Sequence, residues 1–142
     1  MLDCLILGDS IAVGTHTVKQ ECVAIAKGGI NTWQFNKNYV DGRQTKFGAD
    51  VVVISLGSND HKYVKTEEEL LKLRSKIKAQ RVYWILPAGN LKASEVSIQY
   101  IQLLIKEIAE KNGDFVIPIK RLQKDGIHPS WAGYKEISEQ VK

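Results

Sequence analysis

The chain of 142 residues has the size of a single domain with one core, and we treat residues 1–142 as one unit. Hydrophobic residues make up 44% of it and charged residues 25%, which is ordinary for a folded globular protein and excludes a disordered one. The net charge of +4 comes from basic residues interspersed with acidic ones, so we expect a solvated surface of mixed charge and no nucleic-acid partner.

Five short apolar runs predict the strands of a buried sheet. They are continuous rather than alternating, as is typical of parallel strands that are covered on both faces. The runs are too short to cross a membrane, so we expect no membrane span. In chain order they cover residues 5–7, 22–25, 51–56, 82–86 and 115–119.

Amphipathic patterns in the second half of the chain predict three helices. Apolar residues recur there at spacings of two to four, which gives each helix one apolar side. Cap residues mark several of the predicted ends. The helices are 67–77 with Thr66 as N-cap, 94–112 with Ser94 as N-cap and Gly113 as stop, and 130–141, packed through Trp131, Tyr134, Ile137 and Val141.

This alternation of strands and helices predicts an α/β fold, a three-layer sandwich in which helices cover both faces of a five-stranded parallel sheet. Ligands of such sheets bind beyond the carboxyl ends of the strands. The residues that follow each apolar run are therefore the first candidates for a functional site.

Two cysteines, Cys4 and Cys22, lie in or beside apolar runs. We expect two buried free thiols, with a disulfide as the less common alternative. Neither cysteine belongs to a Cys-x-x-Cys pair or shows another spacing of metal ligands, so we expect no metal site.

Ser10 follows the first predicted strand and is the candidate nucleophile. A serine hydroxyl is a poor nucleophile unless a base accepts its proton, and His128 can be that base. Asp125 lies three residues before His128, close enough for a tight loop to let it orient the imidazole. His16 and His61 are competing bases, and we prefer His128 because of this aspartate.

An acyl-transfer site also needs hydrogen-bond donors for the oxyanion that develops in the transition state. Candidates are the backbone N–H of Ser10, an N–H in the turn formed by Gly28 and Gly29, and the side-chain amide of Asn59. Each of these residues alone is more often an ordinary turn or cap residue. Their combination, in order and at predicted strand ends, favours catalysis.

With these residues the sequence resembles the SGNH hydrolases, the superfamily that includes the GDSL esterases and lipases. This sequence differs from the family's signature at the position after the serine, where it has Ile11 and the signature has leucine. The family motif whose glycine supplies an oxyanion N–H is matched less clearly. Gly29 fits it best, and the adjacent Gly28 is the alternative. The matching segments are Gly8-Asp9-Ser10, Gly57-Ser58-Asn59-Asp60 and Asp125-Gly126-Ile127-His128.

The resemblance implies a flavodoxin-like α/β/α fold and a hydrolase that needs no cofactor. It also implies a triad of Ser10, His128 and Asp125, and an oxyanion hole formed by Ser10, Gly29 and Asn59. The alternatives are a glycan-binding module of esterase-like fold without activity, and a lipid or thioester hydrolase of the same fold.

We expect the substrate to be a short acyl ester, an O-acetyl group on a carbohydrate being the main candidate. Asp9 and Trp33 are candidate substrate contacts. Trp33, Tyr39 and Trp131 can either stack on sugar rings or pack within the protein, and for Trp131 we prefer packing.

The first residues include no basic segment, long apolar segment or cleavage site of the kind found in signal peptides. We therefore expect a soluble protein, either cytoplasmic or delivered by another route, such as inside a phage particle.

Overall fold

The computed structural model describes residues 2–44, 46–89 and 96–142. In these ranges a parallel sheet is covered by helices on both faces, as predicted. The strands are β1 (Leu2–Gly8), β2 (Val23–Ala26), β3 (Phe47–Ser55), β4 (Ile77–Lys78), β5 (Arg81–Ile85) and β6 (Phe115–Ile117), and the helices are α1 (Ser10–Val18), α2 (Thr32–Tyr39), α3 (Thr66–Ser75), α4 (Ile98–Asn112) and α5 (Trp131–Gln140).

The main sheet has the strand order β2-β1-β3-β5-β6, with β3 at its centre. Side chains of β3 alternate between the two faces: Val52 and Ile54 belong to the core beneath α2, α3 and α4, whereas Val51 and Val53 belong to the core beneath α1 and α5. Because both faces are buried, the consecutive residues Val51–Ile54 of the strand are all apolar, which explains the continuous run in the sequence.

The region around α3 differs from the prediction in two respects. Ile77, predicted as the last residue of that helix, lies in the two-residue strand β4, which pairs with Phe47 of β3 and adds a sixth strand outside the main order. Thr66 is the first residue of α3 and not its N-cap, which is Lys65. The Thr66 hydroxyl donates instead to the Asp60 carboxylate, 2.7 Å away.

Helix α4 is capped by Ser97, whose hydroxyl accepts a hydrogen bond from the backbone N–H of Tyr100. The predicted cap, Ser94, lies outside the described residues. Gly113 ends the helix in the left-handed conformation, as predicted. Among the described residues, no helix is both long enough and apolar enough to cross a bilayer.

Helix α5 packs on the sheet through Tyr134 and Ile137, and Val141 is buried just after the helix ends, as predicted. The expectation that Trp131 packs in the protein is wrong, because its side chain is 61% exposed. Trp131 is the first residue of the helix, and the nearest charged group over its ring is the Lys135 amine, 5.5 Å from the ring centroid.

Cys4 and Cys22 form a disulfide, so the expectation of two free thiols is wrong. The parallel pairing of β1 with β2 sets Leu5 opposite Val23, and the two cysteines precede these residues with their Cα atoms 4.6 Å apart. Spacing in the sequence does not reveal this strand register, which is why the pairing was missed.

We expect the disulfide to contribute about 3 kcal/mol to the free energy of unfolding, because it closes a loop with a sequence separation of 18. Urea denaturation of the oxidised and the reduced protein measures this difference. The Cys4→Ala/Cys22→Ala variant is the control and should not respond to reductant. Equal stability of the oxidised and reduced forms would contradict the prediction.

Candidate active site

Ser10 is the first residue of α1 and lies just beyond the carboxyl end of β1. Gly8 has a φ of +143°, and a Cβ at this position would overlap the carbonyl oxygen of Ser55 on the neighbouring strand. The same carbonyl accepts a hydrogen bond from the backbone N–H of Asp9 at 3.0 Å. The close approach of β1 and β3 therefore fixes the turn that leads into Ser10.

Ser10, His128 and Asp125 form a chain of hydrogen bonds. The Ser10 Oγ atom lies 2.8 Å from His128 Nε2, and His128 Nδ1 lies 2.7 Å from Asp125 Oδ2. A carboxylate beside Nδ1 favours the tautomer that carries its proton there, which leaves Nε2 free to accept the serine proton. The structure thus brings together two ends of the chain that are 118 residues apart.

The Asp125 carboxylate is held by the loop in which it lies. Its Oδ1 atom accepts hydrogen bonds from the backbone N–H groups of Ile127 at 2.9 Å and His128 at 3.0 Å. These bonds, first that of Ile127 and then the contact with the His128 ring, lower the pKa of Asp125 to about 2. The group therefore stays ionised at any pH at which His128 can act as a base.

The two competing histidines lie elsewhere. The Nε2 atom of His16 is 2.9 Å from the carbonyl oxygen of Cys22. His61 is exposed, and its Nδ1 atom accepts from the backbone N–H of Tyr63. The neighbouring Asp60 is buried and its oxygens bond to other groups. Only His128 of these three has both serine and aspartate partners in the described structure.

Asp60 ties the loop after β3 to two helices. Its Oδ1 atom accepts from the backbone N–H of Thr32, and its Oδ2 atom accepts from the hydroxyls of Thr32 and Thr66, at distances of 2.7–2.9 Å. Burial raises the pKa of Asp60, and these hydrogen bonds oppose the shift. The sequence motif contains Asp60, but nothing in the sequence indicates that it anchors the starts of α2 and α3.

The candidate oxyanion donors lie on two neighbouring loops. The side-chain Nδ2 of Asn59 donates to the carbonyl of Ile30 at 3.1 Å, which fixes the amide, and a primary amide carries a second N–H. A Cβ at Gly28 would lie 3.9 Å from the Cβ of Ser10, whereas one at Gly29 would have no neighbour within 4 Å. A side chain at Gly28 would therefore lie against Ser10, whereas one at Gly29 would not.

Asp9 has no exposed surface, so the expectation that it contacts substrate is wrong. Its Oδ1 atom accepts from the backbone N–H of Ile11 and from the Ser55 hydroxyl, both at 3.0 Å, and thereby caps α1. Its Oδ2 atom is buried with no hydrogen-bond partner among the described residues. Burial, opposed by these hydrogen bonds, raises the pKa of Asp9 to about 6.

Of the candidate aromatic residues, Trp33 is exposed, whereas Tyr39 packs against a neighbouring ring. Trp33 is the second residue of α2, is 49% exposed, and lines a cavity together with residues 27–30. Tyr39 packs against Phe35 with ring centroids 4.9 Å apart.

Within the described ranges there is no group of three or more histidine, cysteine, aspartate or glutamate side chains arranged to hold a metal ion.

Comparison with solved structures identifies the same fold in several bacterial proteins. A GDSL-like lipase from Bacteroides thetaiotaomicron has a TM-score of 0.69 at 20% identity, over 96% of this chain and 84% of that one. A member of the lipolytic G-D-S-L family from Veillonella parvula has a TM-score of 0.65 at 13% identity, over 98% and 95%.

The C-terminal catalytic domain of peptidoglycan O-acetyltransferase A from Streptococcus pneumoniae has a TM-score of 0.68 at 17% identity, over 97% of this chain and 89% of that domain. No family model and no curated protein matches the sequence. At these identities the comparison concerns the fold, and the chain has the α/β fold of the SGNH and GDSL-type hydrolases.

We expect Asp9→Asn to change how stability depends on pH. The pKa of Asp9 is about 6 in the folded protein and near 3.8 when unfolded, so its contribution to stability is complete below about pH 4 and is lost as the pH rises through 6. Asparagine does not titrate. The unfolding free energy of the wild type, relative to the variant, should therefore fall by about 2–3 kcal/mol between these limits.

Urea denaturation of both proteins at a series of pH values measures this difference. Asp60 and the other carboxyl groups are present in both proteins, so their contributions cancel. A difference that stays constant with pH would show that Asp9 is ionised in the folded state as readily as in the unfolded one.

Proposed function

We propose that this protein is a serine esterase that hydrolyses a short acyl ester. Ser10 is the nucleophile, His128 the general base and Asp125 the group that orients the imidazole. The observation that carries the proposal is the pair of hydrogen bonds, 2.8 Å and 2.7 Å long, that joins the three side chains in this order.

In the first half of the reaction, the Ser10 Oγ attacks the ester carbonyl while His128 Nε2 accepts the hydroxyl proton. The tetrahedral intermediate collapses to an acyl-serine, and His128 returns the proton to the departing alcohol. In the second half, water attacks the acyl-serine with His128 again as base, which releases the acid and regenerates Ser10. Asp125 stabilises the imidazolium that forms in each half.

The negative charge of each tetrahedral intermediate needs donors on the side of Ser10 away from His128. We assign this role to the backbone N–H of Ser10 at the start of α1, to the amide of Asn59, and to a backbone N–H in the turn of Gly28 and Gly29. The start of a helix favours negative charge, which supports the first donor. The bond from Asn59 to Ile30 supports the second, because it fixes the amide before substrate binds.

For the ester we propose an O-acetyl group on a carbohydrate. One similar fold belongs to the catalytic domain of a peptidoglycan O-acetyltransferase. The half-exposed Trp33 ring lies on the loop-and-helix unit that also contains Gly28, the neighbour of Ser10, and indole rings can stack on sugars. A glycan-binding module without activity has no need of the hydrogen-bonded triad, so we favour the esterase.

Ser10→Ala should abolish hydrolysis of p-nitrophenyl acetate, with a loss of at least about 1,000-fold in kcat, since the nucleophile is removed. A serine-directed phosphonate should add one covalent group to the wild type at Ser10, detected by peptide mass spectrometry. Ser75→Ala, on the exposed end of α3, is the matched control and should behave as the wild type. Wild type without hydrolysis and without an adduct would refute the esterase proposal.

Activity should fall on acidification, because a protonated His128 cannot accept the serine proton. The pKa of Asp125 is about 2, so Asp125 does not cause this loss. Asp125→Asn should lower kcat by about 100-fold or more at neutral pH, because the tautomer is no longer fixed. A profile of kcat/KM against pH tests both points, and a flat profile would indicate a different base.

A further inference from the structure

A cavity of about 450 Å³ lies next to the loop that contains Gly28 and Gly29. This volume falls within the range of small-molecule binding sites. We call it the Trp33 cavity. It is lined by the loop of residues 27–30 and, on α2, by Trp33, Gln34, Lys37 and Asn38.

Two contacts connect the Trp33 cavity to the reacting centre. Gly28 lines the cavity, and a Cβ on it would lie 3.9 Å from the Cβ of Ser10. Ile30 also lines the cavity, and its carbonyl accepts the hydrogen bond from Asn59. One wall of the cavity is therefore the loop whose Gly28 faces Ser10 and whose Ile30 carbonyl bonds to Asn59.

The charged groups of the Trp33 cavity all have the same sign. Lys27 and Lys37 line it, and none of the described residues that line it is acidic. The amine of Lys37 lies 5.6 Å from the centroid of the Trp33 ring. The Asp41 carboxylate lies 3.9 Å from this amine and 3.2 Å from the amine of Lys72. Its single negative charge is therefore shared between two lysines and does not fully balance the charge of Lys37.

We propose that the Trp33 cavity binds an anionic sugar of the substrate, next to the sugar that carries the ester. This inference rests on the proposed esterase function and narrows its substrate to acylated, negatively charged glycans. The exposed indole offers a stacking face for a sugar ring, the amides of Gln34 and Asn38 can bond to hydroxyls, and the two lysines match a carboxylate or a phosphate.

A pair of substrates that carry the same acetyl groups, one with free carboxylates and one with methylated ones, tests the proposal. O-acetylated polygalacturonate carries free carboxylates, and full methyl esterification of the same polymer removes that charge but keeps the acetyl groups. Released acetate is measured for both. We expect the wild type to prefer the charged polymer by about tenfold in kcat/KM, since each exposed ion pair changes binding only a few-fold. The preference should shrink as salt is added.

The Lys27→Gln/Lys37→Gln variant should lose most of this preference. The Lys106→Gln/Lys111→Gln variant, which removes the same charge from exposed positions on α4, should keep it. Inhibition by trigalacturonate and by glucose 6-phosphate then distinguishes carboxylate from phosphate recognition. Either inhibitor acting on the wild type more strongly than on the Lys27/Lys37 variant supports the cavity assignment.

Equal rates on the two polymers, or a preference that both double variants lose alike, would overturn the proposal while leaving the esterase function intact. Absence of hydrolysis on both polymers and on p-nitrophenyl acetate, without a phosphonate adduct at Ser10, would instead refute the esterase function itself. The two failures are therefore distinguishable.

Discussion

The junction between the carboxyl ends of β1 and β3 is the constraint on which the rest of the site depends. At this point the missing side chain of Gly8 lets the two backbones approach, and the Ser55 carbonyl and hydroxyl both bond to Asp9. Asp9 in turn caps α1, so Ser10 leaves the sheet in one direction. Burial raises the pKa of the Asp9 carboxyl, which reflects the cost of placing a charged group at this turn.

Two further anchors of different kinds complete the arrangement. The loop after β3 is held by buried hydrogen bonds of Asp60 with Thr32 and Thr66. Asn59 of the same loop donates a hydrogen bond to the carbonyl of Ile30 and so connects it to the loop of residues 27–30. The loop that carries Asp125 is held by its own backbone and is exposed. Buried hydrogen bonds of Asp9 and Asp60 therefore hold the turn before Ser10 and the loop of Asn59, while Asp125 and His128 lie on a more exposed loop.

The fold and the proximity of Ser10, Asp125 and His128 could be predicted because each rests on a recognisable sequence pattern. Apolar runs report burial on both faces, and topology then brings strand ends together. The predictions that were wrong concern which groups particular side chains contact. Cys4 is in a disulfide because of strand register, Thr66 bonds to a carboxylate instead of capping its helix, and Asp9 is buried by a backbone junction. Trp131 is exposed because of where its helix begins. None of these contacts is encoded by spacing along the chain.

The disulfide has a consequence for the integrity of the site. Residues 4–22 form a covalent ring closed by the disulfide, and this ring contains Ser10 and the whole of α1. A single backbone cleavage anywhere between the two cysteines therefore opens the ring but leaves both fragments joined. The nucleophile stays attached to the first strand of the sheet even when the helix that carries it is nicked or frayed.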